Sequence, residues 1–144
     1  MTTDTDFTTE QLLNQARGNL SATMFLTVSF CKERGLSLDE YWLYLAHKFA
    51  PGWPQDATLK RVAEIFALNF ASHGAEIRSL SGNESRTELV FGGWPEQGLL
   101  DFCGLTWEDV DPLFNAMGPF AAQTGCTFEW HRDGDEVTFV FSRQ

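Results

Sequence analysis

Hydrophobic residues in the first half of the chain recur with helical spacing, and capping residues mark where the runs begin. The T-x-x-Q sequence at Thr8 predicts a first helix over 8–34, with a second half so evenly apolar that we expect it to be buried centrally. The S-x-x-E sequence at Ser37 predicts a second helix that ends before Pro51. A further apolar stripe predicts a third helix over 55–73.

The pattern then changes to short extended runs. Residues 75–80 and 86–91 flank the turn-rich sequence SGNES and predict a β-hairpin. A flexible loop that carries Trp94 follows. A T-x-x-D capping box at Thr106 predicts a fourth helix, which its prolines bend or split and Gly125 ends.

The last apolar and polar residues alternate, as in a hairpin with one buried face. A type I′ turn at Asp133-Gly134 sets the predicted register. It pairs Trp130 with Val137, Phe128 with Phe139 and Cys126 with Phe141 on the apolar face, and His131 with Glu136 and Glu129 with Thr138 on the polar face. The fold class is therefore α+β: three N-terminal helices, then a β-hairpin, a helix and a β-hairpin, with an antiparallel sheet packed on helices. Residues 1–7 are expected to be a flexible tail, and 8–144 a single domain.

Composition narrows the functional classes. Thirteen Phe and five Trp among 144 residues suit a thick core, an apolar ligand cavity or a subunit interface. The net charge of −10 argues against a nucleic-acid partner. The polar N-terminus does not resemble a secretory signal, and the longest charge-free stretch, 18–31, is too short to span a bilayer. We expect a cytoplasmic protein with no membrane partner.

Two polar clusters contain residue types that can form chemical sites. His131 has Glu136 opposite it, but a hairpin tip is shallow, so a solvated surface pair is the preferred interpretation. Glu40, Tyr44 and His47 share one face of the second helix without a third strong metal ligand, which is typical of a solvent-facing stripe. The three cysteines are far apart and are expected to be free thiols. No metal or cofactor is predicted, and catalytic residues are unassigned.

Asn69 and His73 form the more informative pair. They lie one helical turn apart, on or beside the apolar stripe of Phe66 and Phe70. An amide and an imidazole next to aromatic rings would supply hydrogen bonds to an otherwise apolar ligand. The alternative is that His73 caps the end of its own helix.

The stretch from Leu89 onward resembles the C-terminal part of the four-vinyl-reductase, or hydrocarbon-binding, domain family. The likeness consists of an extended run, a loop at DFCG, a helix with small residues and a closing hairpin with a Gly134-Asp135 turn. Trp130 and Thr138 stand where that family commonly has cysteines, so the resemblance implies the scaffold and an apolar cavity but no metal or redox role. Subunits of vesicle-tethering particles belong to the same superfamily.

The leading hypothesis is a domain that binds an apolar or aromatic small molecule between the first helix, the third helix and the sheet. The predicted ligand contacts are Met24, Phe25, Phe66, Asn69, Phe70, His73, Trp94, Phe128 and Trp130, with the Trp94 loop as a lid. An alternative of equal weight is that the same residues fill a solid core that has no ligand cavity. A small hydrolase or isomerase that uses His73 or Cys103 is a further hypothesis. The last is an interaction module whose Trp42, Trp53 and Trp94 form an exposed patch for a homodimer or another partner.

Overall fold

The structure, a computed structural model, describes residues 6–143, so most of the tail predicted over 1–7 lies outside the described residues. The helices are α1 (Thr9–Glu33), α2 (Leu38–Phe49), a short 3-10 helix (Ala50–Gly52), α3 (Leu59–Ser72), α4 (Gln97–Cys103), α5 (Trp107–Asn115) and α6 (Gly118–Gln123). The strands are β1 (Glu76–Gly82), β2 (Arg86–Gly92), β3 (Thr127–Asp133) and β4 (Glu136–Ser142).

The predicted α+β class is confirmed. The strands form one antiparallel sheet in the order β1-β2-β4-β3, so the two hairpins join through β2 and β4. Helix α3 packs against β1, β2 and β4, while α6 packs against β3. Helix α2 contacts α1, α5 and α6, and α4 contacts α1. Within residues 6–143, no helix is long and apolar enough to cross a membrane.

Predicted capping boxes mark two of the helix starts. Gln11 N donates to Thr8 Oγ1 at 3.0 Å, and Thr8 N donates to Gln11 Oε1 at 2.8 Å. Thr106 N donates to Asp109 Oδ2 at 2.8 Å, and Lys32 Nζ reaches the same oxygen at 2.7 Å. Partial burial alone would raise the pKa of Asp109, but these hydrogen bonds hold it below its ordinary value. The box therefore caps α5 and ties it to α1.

Helix α3 begins later than predicted. Thr58 is its N-cap, because its side chain accepts a hydrogen bond from Arg61 N at 3.1 Å. The predicted fourth helix is two helices, α5 and α6, separated at Ala116–Met117. Helix α4 was not predicted. Residues 101–103 of the DFCG sequence form its last turn instead of lying in a loop, and the Gly104 that completes this sequence follows the helix with φ +69°.

The predicted register of the closing hairpin is wrong by two positions. His131 pairs with Thr138, Trp130 with Phe139, and Phe128 with Phe141. The turn residues are Gly134 and Asp135, and Gly134 alone takes a positive φ, whereas the predicted turn required a positive φ at Asp133 as well. A shift of two residues keeps each side chain on its face, so Trp130 still faces the core and His131 is still exposed.

Helix α1 is not the buried central helix that its composition predicted. Of its residues, Ser21, Phe25, Val28 and Cys31 are buried, while Leu26 and Phe30 are about half exposed. The core lies between α3 and the sheet instead. Phe66 is at its centre, with ring centroids 5.1 Å from Phe141, 5.7 Å from Phe139 and 4.7 Å from Trp53.

Candidate functional site

A pocket of about 450 Å³ lies among α1, α2, α3 and the α5–α6 region, a size typical of small-molecule sites. One wall is an aromatic cluster in which Trp53 lies 4.7 Å from both Phe66 and Phe120, measured between ring centroids. Leu20 and Phe49 also line the pocket and are exposed, so it opens to the surface beside them. Strand residues of the described chain do not line it, so the predicted wall formed by the sheet is wrong.

Six of the nine predicted ligand contacts line this pocket: Met24, Phe66, Asn69, Phe70, His73 and Trp94. The other three pack behind it. Phe25 lies 5.4 Å from the Trp94 ring, Phe128 stacks on Phe66 at 6.2 Å, and Trp130 Nε1 donates to Asn115 Oδ1 at 2.8 Å.

Lining residues that sequence reasoning missed come from elements distant in the chain. Leu113, Met117 and Phe120 lie in and between α5 and α6, and Tyr41 lies in α2. Their apolar spacing predicts only that they face inward, and this holds equally for solid core and for pocket lining. Tertiary packing alone places them beside α1 and α3.

Two polar side chains of the pocket bond to their own helices. Thr27 Oγ1 donates to Thr23 O at 2.9 Å, and Asn69 Nδ2 donates to Ile65 O at 2.9 Å. The predicted role of Asn69 as a buried anchor is wrong, since its side chain is exposed at the pocket edge. What the pocket offers a ligand is therefore mainly aromatic and aliphatic surface.

His73 joins a network that the sequence did not predict. Ser21, buried in α1, lies between His73 at the end of α3 and Trp94 in the loop after β2. Trp94 Nε1 donates to Ser21 Oγ at 3.0 Å, Ser21 Oγ donates to His73 O at 3.1 Å, and His73 Nδ1 is 3.3 Å from Ser21 Oγ. The network connects three segments that are far apart in the chain.

Donor and acceptor chemistry favours one position for the proton on His73, with the Ser21 hydrogen placed on the nearer of its two acceptors. The hydroxyl of Ser21 has one hydrogen, and the carbonyl of His73 can only accept it. We therefore assign the imidazole hydrogen to Nδ1, which donates to Ser21 Oγ and leaves Nε2 as an acceptor. Burial lowers the pKa of His73, so the neutral ring is favoured in the folded protein.

Trp94 is not a lid. Its side chain is only 3% exposed and packs between Phe25 and Phe70, with ring centroids 5.4 Å and 5.5 Å away. Trp42 is likewise buried, and Trp53 is half-buried against Phe66. The predicted exposed tryptophan patch is therefore wrong, because all three indoles pack inward.

The remaining candidates lie outside the pocket. His131 is exposed, and its predicted partner Glu136 instead forms an ion pair with Arg78 at 3.1 Å. Tyr44 and His47 are exposed on α2, as predicted. Cys103 is buried, and burial raises the pKa of its thiol. No group of three or more His, Cys, Asp or Glu side chains in the described part of the chain is arranged to hold a metal ion.

No protein-family model matches the chain, and no curated protein matches it.

Proposed function

We propose that the protein binds an apolar or aromatic small molecule in the pocket between α1 and α3. The observation that carries the proposal is the combination of a volume of about 450 Å³ with an aromatic lining in which Thr27 and Asn69 are bonded to their own helices. A ligand gains by removing apolar surface from water, at about 25 cal/mol per Å². It would not have to replace many hydrogen bonds. The resemblance to hydrocarbon-binding domains supports the same proposal and stays a prediction.

Binding is favoured over nucleophilic catalysis by the state of the Cys103 thiol and of the Ser21 hydroxyl beside His73. Burial raises the pKa of the Cys103 thiol, which opposes the thiolate that nucleophilic catalysis needs. The Nδ1 of His73 is engaged with Ser21, whose own hydrogen goes to a carbonyl. That hydroxyl is therefore not activated by the imidazole.

The test is isothermal titration with phenylbutanol, a neutral aromatic probe, on two matched variants. Thr23 lies on α1, is exposed and lines the pocket, so Thr23→Trp should fill the space that the probe needs. Thr9→Trp makes the same change on the same helix, away from the pocket. We expect Thr23→Trp to weaken binding at least about tenfold and Thr9→Trp to leave it unchanged.

Equal affinities of the Thr23→Trp variant and the unmodified protein would place the probe elsewhere and refute the proposal. Native mass spectrometry of protein purified from its own host gives a second readout. A small-molecule adduct should be present on the unmodified protein and on Thr9→Trp, and absent from Thr23→Trp.

The outer face of α1 favours a second candidate function, a homodimeric interaction module. Leu12, Leu13, Leu26 and Phe30 on this helix are each 45% to 56% exposed. Leu26 and Phe30 are four residues apart, so they adjoin on the helix surface, and adjoining exposed apolar side chains are typical of interaction surfaces. Sedimentation equilibrium tests this candidate: Leu26→Glu should shift a dimer to monomer, and Leu68→Glu on α3 is the control. A monomeric unmodified protein would exclude the homodimer.

A further inference from the structure

A second pocket, of about 370 Å³, adjoins the first and differs from it in chemistry. We call it the polar pocket. It is lined by Asn14, Arg17 and Ser21 of α1, by His73, and by Glu96 just before α4. His73 and Trp94 line both pockets, so the two sites share a wall.

Arg17 is the unusual residue of the polar pocket. Its Nε is buried and lacks a hydrogen-bond acceptor among residues 6–143. Every other Lys and Arg forms an ion pair or lies over an aromatic ring, so Arg17 is the one basic side chain of the described chain without such a partner. An unpaired guanidinium in a concave site is suited to a carboxylate, which it can bind through two hydrogen bonds.

The two pockets follow one line along α1. Arg17 lines the polar pocket, whereas Leu20 and Met24 line the apolar one. These positions are separated by three and then four residues, so they lie near one another on the helix surface. At 1.5 Å per residue, Arg17 and Met24 are about 10 Å apart along the axis. One elongated ligand can therefore contact both pockets.

We infer that the ligand is an amphipathic monocarboxylic acid, with its apolar body in the pocket between α1 and α3 and its carboxylate on Arg17. This inference rests on the proposed function, because the body must bind in the apolar pocket.

The charges near Arg17 favour a single negative charge on the ligand. Glu96 lines the polar pocket too and would repel a dianion such as a phosphate monoester. The net charge of −10 adds to this repulsion. A monoanion can contact Arg17 while it is repelled less than a dianion by Glu96 and by the net charge.

The experiment compares phenylbutanoate with phenylbutanol, which carries a hydroxyl in place of the acid, by isothermal titration at neutral pH. On the unmodified protein we expect the acid to bind at least about tenfold more tightly than the alcohol, as a charge-assisted contact provides. Arg17→Met should abolish this preference and keep the affinity for the alcohol, which also shows that the variant is folded. Arg61→Met removes the same charge from an exposed site on α3 and should keep the preference.

Glu96→Gln supplies a test in the opposite direction. Removing this carboxylate should strengthen phenylbutanoate binding severalfold and leave phenylbutanol binding unchanged. Equal binding of the acid to Arg17→Met and to the unmodified protein would overturn the inference. The inference would also be overturned if butanoate, which lacks the phenyl ring, bound as tightly as phenylbutanoate, since the polar pocket would then act alone.

The inference and the proposed function fail in different ways. If the alcohol binds and the acid has no advantage, the inference is wrong and the apolar site stands. If neither the acid nor the alcohol binds to the unmodified protein, both are wrong.

Discussion

Replacing Ser21 with alanine tests the network of Ser21, His73 and Trp94, in which His73 and Trp94 line both pockets. The substitution removes the acceptor of the Trp94 indole N–H, which lies 3.0 Å from Ser21 Oγ in a side chain that is 3% exposed. It also removes the hydroxyl that donates to His73 O. The indole donor is left buried without its partner, and His73 loses two contacts.

The expected effect is a net loss of about 1.5 kcal/mol in the free energy of unfolding. An orphaned buried donor costs roughly 1 to 3 kcal/mol. Alanine is the better helix former inside α1 and returns roughly 0.5 kcal/mol of that loss. The hydrogen-bond loss is the larger of the two effects, so the variant should be less stable.

Urea unfolding followed by circular dichroism measures this difference. Ser72→Ala is the control, because Ser72 is exposed and bonds only within its own helix, to Asn69 O at 2.5 Å. We expect this control to lie within about 0.5 kcal/mol of the unmodified protein.

A double-mutant cycle with Trp94→Phe isolates the indole contact. Phenylalanine has no N–H, so Ser21→Ala should cost less in this background, by about 0.5 kcal/mol or more. Additive effects of the two substitutions, or a Ser21→Ala variant as stable as the unmodified protein, would refute the reasoning.

Three further predictions concern the core, a cap and a titration. Phe66→Ala should lower the unfolding free energy by about 3 to 5 kcal/mol, because it empties the centre of the aromatic cluster. Leu68→Ala, at an exposed position of the same helix, is the control and should change it by less than about 0.5 kcal/mol. Urea unfolding measures both variants. Asp109→Asn should cost about 1 kcal/mol near neutral pH, because the amide oxygen can still accept from Thr106 N but the negative charge that pairs with Lys32 is lost. The folded-state pKa of Asp109 is lowered. Unfolding curves should therefore show the full difference in unfolding free energy between Asp109→Asn and the unmodified protein above the unfolded-state pKa of this carboxyl. The difference should close as the pH falls through the folded-state value. The pKa of His73 is lowered too, so the unfolded chain takes up a proton first as the pH falls below about 6.5. The unmodified protein should then lose stability relative to His73→Gln between neutral pH and about pH 5. Parallel pH profiles of His73→Gln and the unmodified protein would contradict the lowered pKa of His73.

The candidate site was predictable in its chemistry but only partly in its position. Phe66, Phe70 and His73 recur at helical spacing, and this alone places them on one face of α3, where the structure has them lining the pocket. Asn69 also lines the pocket, but it lies on the exposed edge of that face and is not buried as predicted. Phe128 was assigned correctly to the inner face of the sheet, yet it packs behind Phe66 instead of reaching the pocket.

The polar residues that were missed, Arg17 and Ser21, form no motif with any neighbour in the chain. His73, Trp94 and Glu96, which line the polar pocket with them, are more than fifty residues away in the chain, as the separation of 52 between Ser21 and His73 illustrates. No local pattern encodes such a contact.

Sequence by itself determined the α+β class, the capped start of α1 at Thr8, that of α5 at Thr106, and which face of the closing hairpin is buried. These depend on interactions between residues a few positions apart, or on alternation along one strand, so they are set before the elements meet. Tertiary structure decided the register around Gly134, the exposure of α1 and the meeting of the two pockets at His73. Each of these depends on how separate elements pack against one another, and the free energy of that packing belongs to pairs of segments rather than to either one.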